Sequence, residues 1–274
     1  MSSFVSPDTV VIMDHDGYYP WFIVSIEGNI GSGKSTIVRY LKQKMKMLDA
    51  GSAAGEGKYK VIFQDEPVDA WDDYTDERGH KVLQCFYENT ERYAFPFQCV
   101  TLYTRLQSFV KSLEDAREHH RATGEMTILV TERSIFTDRH VFLQMLLEQK
   151  NGIGKLERDI YDMMCKTIGT EHFTPDMIFA LNTDPHLCYQ RVLERSRETE
   201  EGLIEEKYLE DCHRAHQNMY TLFQQQHPHF SSFVNIESSM DKDDPQYNYF
   251  DTVHDMVVQH IQEHVNSVKK CVCG

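Results

Sequence analysis

The sequence predicts an α/β fold, a five-stranded parallel sheet covered by helices on both faces. Three observations predict it. Apolar, β-rich runs alternate with segments of helical period from residue 22 to residue 268, the pattern of strands joined by crossover helices. A glycine-rich loop stands directly between the first run and the first helical segment. The balance of 41% hydrophobic and 26% charged residues in 274 is that of a globular chain long enough to bury a sizeable core.

The elements follow in order. Residues 22–27 form a buried strand and 35–48 a helix. Residues 49–58, rich in Gly, Ala and Ser, are expected as a flexible insertion. The second strand is 59–64, the third 127–131, the fourth 177–181 and a weaker fifth 232–236. Helical period covers 81–88, 98–121, 134–150, 156–170, 185–199, 205–226 and 251–268. The Gly-rich 150–155 and the acidic 241–244 are expected as loops, and no repeat of fixed period occurs. The expected organisation is a flexible N-terminal segment 1–20, a single domain 21–268 with a lid at 191–202, and a C-terminal tail 269–274.

Composition narrows the function classes. No apolar run approaches the ~20 residues of a membrane span; the longest strand-like stretch, Trp21 to Ile26, is six residues. With 28 Lys and Arg against 43 Asp and Glu, the net charge is −15, so broad neutralisation of a nucleic-acid backbone is not expected. An acidic protein that binds phosphates must gather its cations locally. The seven cysteines are odd in number and scattered, with no CxxC pair, which fits reduced thiols and a cytoplasmic setting. The terminal Cys271-Val272-Cys273-Gly274 has a C-a-a-X outline, but Gly is a poor last residue for prenylation, and an inert tail is expected. Residues 1–20 lack the features of a secretory or transit peptide.

The first strand runs into Gly28-Asn29-Ile30-Gly31-Ser32-Gly33-Lys34-Ser35-Thr36, which fits G-x-x-x-x-G-K-[ST] in the strand–loop–helix setting of a P-loop. Backbone N–H groups wrap phosphate oxygens there, and the helix N-terminus adds positive potential. Lys34 is expected to reach the β/γ-phosphates and Ser35 to offer a hydroxyl to Mg²⁺. The second strand ends in Gln64-Asp65-Glu66-Pro67-Val68 and the third in Thr131-Glu132-Arg133-Ser134. Because parallel strands open on one crevice at their carboxyl ends, Lys34, Glu66, Glu132 and Arg133 are expected together. A carboxylate there can take a proton from an attacking hydroxyl, and an Arg beside it can keep that carboxylate ionised. Arg191 and Arg195 share a helix face and Arg197 follows. That pattern suits a solvated helix with offsetting charges as well as a lid over a triphosphate.

These residues resemble the deoxynucleoside kinase family, in its deoxycytidine/deoxyguanosine kinase-like subgroup. The resemblance covers residues 23–209 and rests on Ile26 to Ser35, Glu66-Pro67-Val68 with Trp71, Phe97-Gln98, Glu132-Arg133-Ser134, and Arg191, Arg195 and Arg197. It implies a P-loop kinase fold. It implies Glu66 as the general base on the nucleoside 5′-hydroxyl, with Arg133 and Lys34 in the catalytic set. Arg133 holds that region and the phosphoryl group, and Glu132 and Ser35 serve Mg²⁺. Residues 28–36 and the three lid arginines bind ATP. Tyr87 and Glu200 hold the sugar 3′-hydroxyl, Gln98 pairs with the base edge, Trp71 and Phe142 flank the base, and Phe97 lines the pocket.

Spacing supports the pocket independently, since Gln98, Thr101 and Arg105 share one helix face and Asp138 and Phe142 another. Read alone, Arg105 and Asp138 are unrelated surface charges; the resemblance places them together at the deep end of the base pocket, facing each other as a buried, hydrogen-bonded pair. The implied function is ATP-dependent, Mg²⁺-assisted 5′-phosphorylation of deoxycytidine or purine deoxynucleosides in preference to thymidine, within nucleotide salvage. It also implies inhibition by a deoxynucleoside triphosphate and a homodimer. No nucleic-acid or membrane partner is expected. The alternatives are a nucleoside monophosphate kinase, for which Glu66 would repel an acceptor phosphate, and a catalytically silent subunit of the same fold.

Overall fold

The structure, a computed structural model, describes residues 20–51, 59–195, 203–227, 232–238 and 249–272. Five parallel strands form one sheet: β1 (Trp21–Gly28), β2 (Tyr59–Gln64), β3 (Met126–Glu132), β4 (Met177–Asn182) and β5 (Phe233–Glu237), in the order β2-β3-β1-β4-β5. Each strand agrees with its sequence expectation to within a residue or so at either end. Successive residues of the strands face opposite layers, and both layers are apolar. Trp21, Ile23 and Leu129 join one core. Phe22, Val24, Ile26, Ile128, Val130 and Phe179 join another. This is why the strand runs are apolar throughout rather than at alternate positions.

The helices are α1 (Lys34–Gly51), α2 (Val68–Trp71), α3 (Val82–Glu88), α4 (Thr90–Thr123), α5 (Ile135–Thr137), α6 (Gln144–Glu148), α7 (Lys155–Ile168), α8 (Pro185–Arg195), α9 (Glu206–Gln226) and α10 (Tyr249–Val272). Helices α3, α4 and α7 cover the first core, α1 and α10 the second, and α9 packs on Ile178 and Ala180 of β4. Strand β1 lies between β3 and β4. The chain leaves β1 to build one half of the sheet and returns past it to build the other, so the loop after β1 sits at the topological switch point.

The helical expectations depart in four places. Helix α4 begins at Thr90, two turns before the predicted start, because Asn89 caps it (its side chain accepts from Arg92 N at 3.1 Å) and Pro96 is carried inside it. The helix expected over 134–150 is continuous from Ile135 to Glu148 but widens into a π-helical turn, Asp138–Leu143, between α5 and α6. Such turns interrupt helices where a side chain is held out of regular register. Helix α1 runs on to Gly51, into the expected flexible insertion, and the rest of that insertion lies outside the described residues. The short α2 was not anticipated. The N-terminal segment 1–19, the loop at 241–244, most of the lid and the last two residues also lie outside the described residues.

Candidate active site

The P-loop bends as its glycines allow. Gly31 has φ 78°, and a Cβ on it would lie 2.5 Å from the Cys188 carbonyl oxygen. Lys34 is buried, and its Nζ donates to the Asn29 carbonyl at 2.8 Å, curling the side chain back over the loop. Burial and the nearby Arg133 charge lower its pKa to about 8, against the opposing pull of Glu132, Glu66 and Glu27. Ser35 Oγ donates to Glu132 Oε1 at 2.7 Å. A hydroxyl and a carboxylate side by side at a phosphate loop are hard oxygen donors of the kind Mg²⁺ takes alongside phosphate oxygens, so the residues present fit that ion.

Register brings the rest to the same edge. Ile26 is level with Glu132, and Gln64 with Thr131, so the residues that follow β2 and β3 emerge beside the P-loop. Glu66 Oε1 accepts from Arg105 Nη2 at 3.2 Å and forms an ion pair with Arg133 Nε, also at 3.2 Å. Burial works against its ionisation, yet Arg133, Arg105 and Lys34 outweigh it and hold its pKa below the ordinary carboxylate value. Arg133 is the one non-glycine residue with positive φ among the described residues, at 63°. Its N–H donates to the Ile26 carbonyl at 3.1 Å and its Nη1 to the Gly28 carbonyl at 2.9 Å. Strain of this kind persists only where surrounding contacts over-determine it, and it concentrates at functional sites.

One cavity of about 530 Å³ connects these groups to an aromatic chamber, a size that suits a small-molecule ligand. It is lined at one end by Ile30, Gly31, Gly33, Lys34, Ser35, Thr36, Arg191 and Arg195, and in the middle by Glu66, Glu132 and Arg133. Trp71, Tyr87, Phe97, Gln98, Thr101, Asp138 and Phe142 line the far end. Trp71 and Phe97 meet edge to face at 5.3 Å, and Trp71 Nε1 donates to Thr104 Oγ1 at 3.0 Å, which fixes the indole. The Phe142 ring lies 4.9 Å from the Arg133 guanidinium. Gln98 lines this chamber, and its Oε1 is buried with no hydrogen-bond partner among the described residues.

A family model described as "Deoxynucleoside kinase" matches residues 24–266. The chain belongs to the deoxynucleoside kinase family. It is similar to human deoxycytidine kinase, with 30% identity over 200 residues, covering 71% of this chain and 74% of the human protein. It is also similar to a probable deoxycytidine kinase of fowlpox virus (strain NVSL), with 30% identity over 196 residues, covering 71% of this chain and 69% of the viral protein. A putative kinase of invertebrate iridescent virus 3 is 28% identical over 184 residues, covering 66% and 74%. The α/β fold with its parallel sheet, the P-loop and the kinase activity thus belong together in one deoxynucleoside kinase.

Within this deoxynucleoside kinase, some expected residues are placed differently. Arg105 does not line the cavity. It lies behind the wall, about 1% exposed, where Nε and Nη2 meet Asp138 at 2.7 and 3.3 Å, Nη1 meets the Glu132 carbonyl at 3.1 Å, and Nη2 also reaches Glu66. Arg105 and Asp138 thus form the buried, hydrogen-bonded pair expected at the deep end of the pocket, with Arg105 behind Asp138 rather than across the cavity from it. Arg105 backs both Asp138 and Glu66, a fully desolvated fork between two carboxylates. Burial pushes the Asp138 carboxyl above its ordinary value, against the opposing pull of Arg105. Gly28, Asn29 and Ser32 are also absent from the cavity wall. Asn29 Nδ2 donates to the Leu209 carbonyl at 2.8 Å and its Oδ1 accepts from Ile30 N at 2.8 Å, so it braces the loop against α9. Arg197 and Glu200 lie outside the described residues.

Other functional residues were missed. Leu83 and Phe86 join Tyr87 on the lining, and their spacing on α3 was a signal that they share a face. Tyr208 lines the cavity with its ring centroid 6.3 Å from that of Tyr87. Burial raises its pKa above the ordinary phenol value. Glu27 is fully buried beneath the site, where Ser25 and Ser134 donate to its Oε1 at 2.6 and 2.8 Å; burial raises its pKa.

Proposed function

We propose that this deoxynucleoside kinase transfers the γ-phosphate of ATP to the 5′-hydroxyl of a 2′-deoxynucleoside, with deoxycytidine or a purine deoxynucleoside preferred over thymidine. The observation that carries this is Glu66, held ionised by Arg133 and Arg105 where the phosphate loop meets the aromatic chamber. In the forward step the 5′-oxygen forms a bond to the γ-phosphorus while its proton passes to Glu66. The bond from that phosphorus to the β–γ bridging oxygen breaks, and ADP leaves with that electron pair. Lys34 and Arg133 offset charge on the transferring group, and Arg191 and Arg195 border the same end of the cavity. Ser35 and Glu132 would hold Mg²⁺, which supplies positive charge to the β- and γ-phosphates.

The base preference rests on Asp138 and Gln98. Asp138, paired with Arg105, accepts from an exocyclic amino group, which cytosine and adenine offer and thymine does not, and the orphaned Gln98 Oε1 accepts a second donor. We further read Tyr87 and Glu200 as sugar ligands and 191–202 as a lid, within one domain spanning 21–268. The five described cysteines are unpaired, which supports a reducing, cytoplasmic setting. Exposed Tyr103 on α4 and Leu156 and Met163 on α7 support a homodimer formed through helices. Sedimentation of the purified chain should give twice its mass; a monomer at micromolar concentration would remove that reading. The phosphorylation itself is tested by ADP release with each deoxynucleoside: release with deoxycytidine or a purine is expected, and release with none would overturn the proposal.

A further inference from the structure

Helix α9 carries a buried histidine that no motif of the sequence singles out. His216 is about 2% exposed, and its ring lies against Arg133. Its contacts fix its protonation, with the Cys212 Sγ standing farther from Nδ1, at 3.6 Å, than the Cys212 carbonyl. The Cys212 carbonyl, 2.8 Å from Nδ1, can only accept, so Nδ1 carries the proton. Arg133 Nη1, 3.2 Å from Nε2, can only donate, so Nε2 presents its lone pair. Burial, reinforced by the Arg133 charge, holds the imidazole pKa well below its ordinary value, and the ring stays neutral at physiological pH.

The consequence is geometric. Nη1 of Arg133 has two hydrogens, and two acceptors take them, the Gly28 carbonyl at 2.9 Å and His216 Nε2. Nε meets Glu66 and the guanidinium rests on Phe142. A planar guanidinium held at both hydrogens of Nη1, with Glu66 paired at its Nε edge, is restrained from rotating about its own stem. Loss of His216 would leave Nη1 with the Gly28 carbonyl alone. The same helix holds the P-loop through the Leu209 carbonyl and Asn29, so α9 braces the phosphate loop and the arginine together.

We propose that His216 is a positioning residue, a neutral Nδ1–H imidazole that locks the Arg133 guanidinium in the plane needed to meet the transferring phosphoryl group. The proposal rests on the reading of Arg133 as part of the phosphoryl-transfer machinery.

The test combines four variants with one spectrum. His216→Leu should lower kcat by roughly tenfold or more, as expected for loss of alignment in the transition state, with the KM for the nucleoside changed far less. His216→Gln, whose amide oxygen can take the place of Nε2, should recover most of that loss. Arg133→Lys should itself be impaired, and adding His216→Leu to it should cost little more, because the fork that His216 holds is already gone. The ¹⁵N spectrum of the full, histidine-labelled wild-type chain should show residue 216 as the Nδ1–H tautomer at pH 7, a readout that needs no variant to fold. An Nε2–H tautomer, wild-type kcat in a folded His216→Leu, or a full further loss in the Arg133→Lys background would overturn the proposal. Arg133→Lys with unimpaired turnover would instead remove the catalytic reading of Arg133 beneath it.

Discussion

Burial and charge pull Glu66 in opposite directions, and charge prevails because three cations converge on it. A carboxylate so held is ionised throughout the physiological range and accepts a proton only as bond formation makes the 5′-hydroxyl acidic. Glu66→Gln should therefore lower kcat by roughly 10²-fold or more, since an amide cannot take that proton; a folded variant with near-normal turnover would remove Glu66 from the mechanism. The pH profile follows from the two directions of shift. Glu66 works deprotonated and its pKa lies below the ordinary carboxylate value, so the acid edge of kcat/KM lies below about pH 4.3. Lys34 works protonated with a pKa of about 8, so kcat/KM for ATP falls as pH rises through about 8 in the free enzyme. An alkaline edge near the ordinary lysine value would contradict the burial argument. Much of this residue-level picture was legible, because Lys34, Glu66 and Arg133 sit beside strand ends. His216 and Glu27 were not, since what matters about them is burial against partners far away in sequence. The spacing of Arg105 with Gln98 and Thr101 identified the shared helix face but not the depth at which a long side chain ends, behind the wall rather than in it.

Among the elements, α4 and the π-helical turn set the base chamber. Asp138 opens that turn and is gripped by Arg105 from α4. Removing either partner strands a buried charge, at a cost of about 3–5 kcal/mol. Arg105→Met combined with Asp138→Ala avoids this and leaves an apolar space. The double change should raise kcat/KM for thymidine relative to deoxycytidine. Total turnover should fall at the same time, because Glu66 loses one of its two arginine contacts. An unchanged ratio would remove the pair from base selection. Strand β1 offers a separate test. Asp176, just before β4, accepts from Ile23 N at 2.7 Å, and burial raises its pKa to about 6. The folded state therefore binds a proton that the unfolded chain releases near pH 3.9, and stability falls as pH rises from about 4 to about 6. Asp176→Asn keeps the acceptor and should flatten that slope in melting temperatures taken from pH 4 to pH 7; an unaltered slope would contradict it. Strands were read well because continuous apolar runs mark burial on both faces. The first two turns of α4 were hidden by Pro96, and the π-helical turn after Thr137 by an apolar period that continues smoothly through it.

At the scale of the whole molecule, an acidic chain gathers Lys34, Arg133, Arg191 and Arg195 around one cavity, beside the point where the strand order reverses around β1. Donor and acceptor ends share one cavity. A deoxynucleoside triphosphate can therefore place its base and sugar in the aromatic chamber and its phosphates in the loop. It should inhibit competitively against ATP, and purely uncompetitive behaviour would contradict the shared cavity. The central claim is that this cavity joins ATP to a nucleoside 5′-hydroxyl through Glu66. The most direct measurement is the product formed from ATP and each of the four deoxynucleosides by wild type and Glu66→Gln side by side. The account predicts a 5′-monophosphate, formed fastest from deoxycytidine or a purine deoxynucleoside and slowed by about two orders of magnitude in the variant. A preference for thymidine, phosphate on the 3′-hydroxyl, or equal rates in the two proteins would contradict it.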